Sequence, residues 1–353
     1  QVYAAVTPVK RNVTVNSTVA EQKELRGAWF SYIEWSEMPS DVEAFKKRAN
    51  QVMADIKNRG MNAIFCHVHS HSDSYGQKLK SFPLSKFMVT KDSSADFDPL
   101  EYMIESAHKQ GLSFHAWVNP YRVTNSMMKN IPDNSIVKQW MGDPSKQRNV
   151  VLHDGSYYLN PSSAEVRSYL VNSISEICKN YAIDGIQFDD YFYPSLNDGD
   201  PAKSFDKAEY DASGSSLGIT QWRRENVSML VKDVYKAVHE ARPQAVFGIS
   251  PVALLSNLRS DKSYFVDIDK WMASNEYIDY IMPQLYHGFE AKTRTGILAP
   301  HSYINCLNSW VDLKRKSNSN VKLYIGLGLY RTGKDIKDGN AVSEWLRYND
   351  ILL

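Results

Sequence analysis

The 353-residue chain reads as an α/β protein, a (β/α)8 TIM barrel whose eighth strand is missing from the sequence. Three observations predict this. Strand-like and helix-like segments alternate from Leu25 onward, nearly every strand end carries polar or aromatic residues, and no Gly-x-Gly-x-x-Gly follows the first strand. Serial βα units require parallel strands, because each helical crossover returns the chain to the same edge. Seven units in series suit a barrel better than an open doubly wound sheet. The absent glycine signature removes dinucleotide binding.

The elements follow in order. β-formers Trp29, Phe30, Tyr32 and Ile33 predict a first strand over Leu25–Trp35. Phe45, Ala49, Val52 and Ile56 recur at helical spacing after Asp41, with Gly60 as the stop. Met61–Ser70 is the second strand, and a helix then starts at Asp98-Pro99 and stops at Gly111. Leu112–Val123 is the third strand. The next helix is announced by Ser162-Ser163-Ala164-Glu165, which fits a capping box, with Val166, Leu170, Ile174, Ile177 and Tyr181 as its apolar stripe. Asp184–Tyr193 is the fourth strand, followed by a helix over about 220–241. Strands five, six and seven are expected at Ala245–Ala253, Asp279–His287 and Val321–Tyr330, with helices near 268–277 and 302–316 between them. A short helical segment, 341–349, comes after the seventh strand. A truncated chain, or a barrel partly open and closed by the N-terminal lead, would account for the missing eighth strand.

Composition narrows the class of partner. Lys plus Arg (41) nearly cancel Asp plus Glu (40), so no global field favours nucleic acid or an anionic membrane. No apolar run approaches a membrane span. Cys66, Cys178 and Cys306 are odd in number and widely spaced, which argues against a disulfide framework or a zinc knuckle. They are expected buried and reduced. Residues 1–24 lack clear periodicity and resemble a mature N-terminal lead, with the barrel over 25–353. The first residue is Gln1, so a secreted or envelope-anchored, extracytoplasmic origin is expected.

Barrel enzymes place function at the carboxyl ends of the strands. The most informative pair there is Asp189-Asp190, after the apolar Ile186 and Phe188. Side chains alternate along a strand, so Asp189 shares the inward parity of Gln187, while a sharp turn could bring Asp190 inward instead. Glycosidic cleavage needs two carboxyl groups, one to protonate the leaving oxygen and one to attack or activate water. Their separation decides retention against inversion, about 5 Å against about 6.5–9.5 Å. Asp189 or Asp190 is one partner, and Glu34, Asp73 and Glu290 are candidates for the other. Trp35, Tyr121, Tyr191, Tyr193 and Tyr286 are candidate sugar-stacking walls. His67, His69, Asp73, Trp117, Asn119, Arg122 and Gln284 complete the expected substrate-binding rim. His67-x-His69-x-His71 also invites a zinc reading, but the later histidines that such a barrel site needs are absent from strand five. No metal or other cofactor is therefore assigned.

Several runs resemble the bacterial glycosyl-hydrolase-like family 10 barrel proteins. They are Leu25-Arg26-Gly27-Ala28-Trp29, His115-Ala116-Trp117-Val118-Asn119-Pro120-Tyr121-Arg122, Tyr158-Leu159-Asn160-Pro161, the stretch from Asp184 to Pro194, and Met282-Pro283-Gln284-Leu285-Tyr286. The resemblance spans about 24–350. It implies an exported or lipid-anchored (β/α)8 barrel, with some members hydrolysing peptidoglycan strands stripped of their peptides. Relatives usually show Gln-Val-Arg where this chain has His67-Val68-His69, and they continue through an eighth strand. The Asp-Gly-x-x-x-Asp element also resembles strand four of α-amylase-like barrels, which by analogy favours Asp189 as nucleophile. The leading expectation is a glycosidase acting on a cell-wall or related polysaccharide. A non-catalytic glycan-binding barrel and a metal-dependent hydrolase using His67 and His69 are the alternatives.

Overall fold

Seven strands form one parallel sheet among the described residues of the computed structural model, which are 24–86, 97–125, 129–190, 192–194, 196, 204–289, 291–293, 295–334 and 344–345. They are β1 (Gly27–Phe30), β2 (Ala63–His69), β3 (Ser113–Val118), β4 (Gly185–Phe188), β5 (Val246–Ile249), β6 (Tyr280–Ile281) and β7 (Lys322–Leu323). Their spatial order is their chain order. Each crossover therefore advances one strand in the same sense, and the sheet curls as a barrel wall instead of reversing at a switch point. β1 and β7 do not pair with each other. Residues 25–29 and 324–327 instead border one cleft. The seven predicted strands are present in this sheet, and among the described residues it has no eighth.

Helices cover the outer face of this wall, the main ones being Val42–Asn58, Pro99–Lys109, Ala164–Asn180, Ile219–Ala241 and Tyr303–Ser317. Asp41, Asp98, Ser163 and Ser302 each accept a backbone N–H of the following turn, satisfying donors that the helix itself cannot. The capping box expected at Ser162 to Glu165 is not formed. Ser163 is the cap, which leaves Glu165 one residue too early to reach back, and its carboxylate binds Lys146 and Asn149 instead.

Two apolar cores result. The larger lies between sheet and helices and includes Phe45, Met53, Ile104, Ile174, Leu230 and Trp310. The smaller fills the curl and joins Ala63, Phe65, Tyr280 and Met282 to Trp29 and Tyr324. Strands buried on both faces need no polar alternation, and all seven residues of β2 are buried. Within the curl, size is matched across the ladder. His115 pairs in register with Gly185, and Tyr280 with Gly248. A Cβ on Gly248 would lie 2.1 Å from the Tyr280 ring.

The sequence reading overextended the strands. The first ends at Phe30, where Ser31 starts a helix over Tyr32–Ser36. The sixth is interrupted at Pro283, which has no N–H for the ladder. The chain resumes at Gln284–Leu285, paired with Gly326–Leu327 as a separate ribbon. The hairpin Val150–His153 with Ser156–Leu159 was not predicted. Beyond β4 the chain is anchored by a buried ion pair, in which Arg223 binds Asp206 at 2.7 Å and the Tyr193 hydroxyl donates to the same carboxylate at 2.9 Å. The lead over 1–23 and most of 341–349 lie outside the described residues.

Candidate active site

A cleft of about 1090 Å³ opens at the carboxyl ends of the strands and runs down the unpaired side of the wall. Asp189 and Asp190, immediately after β4, both line it. Parity made Asp189 the inward acid, and the turn that ends β4 brings Asp190 to the cleft as well. Asp189 accepts four N–H donors. Gln284 Nε2 (3.0 Å) and the Asp190 backbone N–H (2.9 Å) reach Oδ1, while Trp117 Nε1 (3.2 Å) and Asn119 Nδ2 (3.1 Å) reach Oδ2. With both oxygens occupied by donors, Asp189 is the fixed carboxylate of the pair. Asp190 is only partly covered, but burial of its carboxyl and the adjacent Asp189 charge push its pKa well above the usual carboxylate range.

Behind Asp189 lies a second row of polar groups. The Asn119 amide is assigned with nitrogen toward Asp189 because its oxygen then accepts from His67 Nε2 (3.2 Å) and from Arg122 Nη2. His67 Nδ1 accepts the Tyr32 backbone N–H at 3.0 Å, so the proton of the neutral ring sits on Nε2. Burial, the Arg122 charge and the neighbouring histidines hold the His67 pKa well below that of an ordinary histidine. Its ring stacks on the Trp117 indole, centroids 3.5 Å apart. Arg122 Nε donates to the Ser70 carbonyl, and its guanidinium lies 5.7 Å from the Tyr32 ring.

Of the expected substrate contacts, His67, Trp117, Arg122, Gln284 and Tyr286 line the cleft, and Asn119 is fully buried one step behind it. Five others are in the core. Trp35 is 1% exposed, stacks on Tyr75 and donates its indole N–H to the His67 carbonyl, because the helix that begins at Tyr32 turns it inward. Tyr121 is equally buried, and Tyr193 is held by Asp206. His69 donates Nδ1–H to the Asp73 carbonyl (2.7 Å) and stacks on Phe82, while the Asp73 carboxylate accepts the backbone N–H groups of Ser70 and His71. His69 and Asp73 build the loop beneath the rim and are fully buried there. Tyr191 and the candidate acid Glu290 lie outside the described residues. Glu34 does line the cleft, but its Oε2 accepts the Ser31 N–H at 2.7 Å in a capping box. That Ser-x-x-Glu signature was readable and would have brought Tyr32, read only as a strand former, to the rim. Trp29, Ser250 and Tyr330 also face the cleft without having been assigned.

The ring partners also separate His67 from His69. A bulge falls between them in β2, so one ring faces Trp117 and the other Phe82. Among the described residues, no three His, Cys, Asp or Glu side chains are grouped so as to hold a metal ion.

Residues 24–344 match the profile of the family described as glycosyl hydrolase-like 10. The chain belongs to that family. It is 30% identical to glycosyl hydrolase YngK of Bacillus subtilis over 344 residues, 91% of this chain and 63% of YngK, so it spans under two thirds of that relative. It is 28% identical to glycosyl hydrolase DigH of Escherichia coli K12, covering 94% of this chain and 79% of DigH. Among solved structures, the glycoside hydrolase domain of PgaB (BpsB) from Bordetella bronchiseptica aligns with a TM-score of 0.60. That match has 12% identity and covers 93% of this chain and 90% of the domain. A β-galactosidase from Marinomonas ef1 aligns with a TM-score of 0.53 at 13% identity, over 86% of this chain and 48% of the enzyme. At such identities the likeness is one of fold. In this glycosyl hydrolase-like 10 chain, the cleft residues therefore rest on their own geometry. That geometry is one carboxylate fixed by four donors, one carboxyl whose pKa is raised by burial and the neighbouring charge, and aromatic rings beside them.

Proposed function

We propose that this chain is a glycoside hydrolase acting on a bacterial cell-wall (peptidoglycan-type) or related polysaccharide by carboxylate acid/base catalysis. The observation that carries this is the division of the Asp189–Asp190 pair at the cleft floor. Two acids whose surroundings push their proton affinities apart are suited to opposite roles. Asp190, whose pKa burial and the Asp189 charge raise well above the usual carboxylate range, donates its proton to the glycosidic oxygen as the C–O bond breaks. Asp189, held by four donors, faces the positive charge that develops on the sugar ring. Water then adds to the anomeric carbon and returns a proton to Asp190. Tyr32, Tyr286 and Tyr330 offer ring faces to the sugars, and Arg122 and Gln284 offer donors to their oxygens. A polymeric substrate suits the volume of the cleft and the exposed apolar side chains that line it, Ile33 and Leu329. The same assignment places the protein outside the cytoplasmic membrane, where that polymer lies.

The test is release of reducing ends from peptide-free glycan strands. Asp189→Asn and Asp190→Asn should each lower the rate by at least about a hundredfold, the usual contribution of a positioned acid or base. Full activity in both variants would sink the assignment. Glycan binding that persists in both, with no turnover in the parent protein, would instead identify a glycan-binding barrel. Glu34, bound into its capping box, is the feature that favours that second outcome.

A further inference from the structure

The neutral ring of His67 lies between two of the four groups that hold Asp189. Its Nε2–H points at the Asn119 amide oxygen at 3.2 Å, and its face lies on the Trp117 indole at 3.5 Å. Both of those residues donate to Oδ2 of Asp189. An asparagine amide can be turned over at little steric cost, because its oxygen and nitrogen are nearly the same size. Turned over, it would direct an oxygen at Asp189 and replace a hydrogen bond with a repulsion. What opposes the turn is the donor pair on the other side, His67 Nε2–H and Arg122 Nη2. His67 can serve only while its proton stays on Nε2. The Tyr32 N–H aimed at Nδ1 enforces that tautomer, and it would meet a second donor if the ring were protonated.

We propose that His67 is a positioning residue that locks the Asn119 amide and the Trp117 ring so that both donate to Asp189. This rests on Asp189 being the working carboxylate proposed above. His67 handles no proton during turnover; it keeps its own and uses it to fix the donors of its neighbours. A 1 Å loss of register at such a shell can cost on the order of a hundredfold in rate.

Two variants separate its hydrogen bonds from its bulk. His67→Gln retains an acceptor for Tyr32 and a donor for Asn119. His67→Phe retains the ring stacked on Trp117 and loses both hydrogen bonds. On peptide-free glycan strands, His67→Phe should lose about a hundredfold in kcat with KM nearly unchanged. The acid limb of its pH profile should move to higher pH, because the carboxylate has lost a donor. His67→Gln should recover most of the rate and the parental limb. Equal loss in both variants, or no loss in His67→Phe, overturns the proposal. A second measurement needs no substrate. Nitrogen-15 NMR of the parent protein should show His67 protonated at Nε2 and bare at Nδ1 between pH 6 and 8, and any other state overturns the proposal even if His67→Phe fails to fold. Should Asp189→Asn stay active while the tautomer is as stated, the catalytic assignment fails and the lock on Asn119 stands.

Discussion

Asp190 is the residue whose chemistry depends most on its surroundings. An ordinary carboxyl loses its proton near pH 4, whereas burial and the Asp189 charge hold this one far higher. The folded protein therefore keeps a proton that the unfolded chain has released. A raised folded-state pKa of this kind lowers stability as pH climbs from about 4 toward the folded value. Asp190→Asn escapes that cost. Its melting temperature should match the parent near pH 4 and exceed it increasingly as pH rises toward the folded value, the gain growing by at most about 1.4 kcal/mol per pH unit. Thermal melts at pH 4, 5.5 and 7 check this, and a constant difference would contradict it. The acid pair itself was legible in the sequence, since two adjacent carboxyls at a strand end have few structural uses. Which of them holds the proton was not legible. It depends on Trp117, Asn119 and Gln284, which come from β3, its following turn and the ribbon beyond Pro283.

At the scale of elements, the strands read too long and the turns too few. Alternation and β-branched content mark where a strand passes, but its end is set by where the neighbouring strand stops pairing. Ser31 shows the cost of overlooking a cap. With the strand carried through to Trp35, that indole was placed on the rim, and Tyr32 was not. The curl imposes a further constraint that no single element announces. Gly248 faces the Tyr280 ring across the ladder, with no room for a methyl group. Gly248→Ala should therefore destabilise the fold by about 1–3 kcal/mol, as overpacking does in buried sites. Urea unfolding would measure it. The double variant Gly248→Ala with Tyr280→Phe should recover little, because the clash is with ring carbons and not with the hydroxyl.

Across the whole molecule, buried neutral histidines set the response to acid. Burial lowers the pKa of His69 to about 4, of His71 to about 3 and of His115 to about 4. In the unfolded chain each would titrate near pH 6.5. Between those limits the unfolded state binds more protons, so stability falls as pH drops from about 6.5 toward 4. Each histidine contributes up to about 1.4 kcal/mol per pH unit. Asp190 acts in the opposite sense, but with one proton against those of these three histidines and of His67, which burial also keeps neutral. Denaturant midpoints should decline steadily from pH 7 to pH 5, and a flat profile would refute the buried-neutral assignment.

The sequence by itself determined the serial βα order, the seven strands, the strand-end acids and the family. Each of these is written in local periodicity or in a contiguous motif. Tertiary structure decided which residues share the cleft. Trp35, Tyr121, Tyr193, His69 and Asp73 carry the right chemistry at nearly the right positions, yet they point into the core. A turn of one residue at a strand end exchanges the wall of a site for its foundation, and that turn is fixed by packing against distant parts of the chain. His67 shows the same division. Its place on β2 was readable, but its part in holding Asp189 exists only where β1, β2, β3 and β4 curl together.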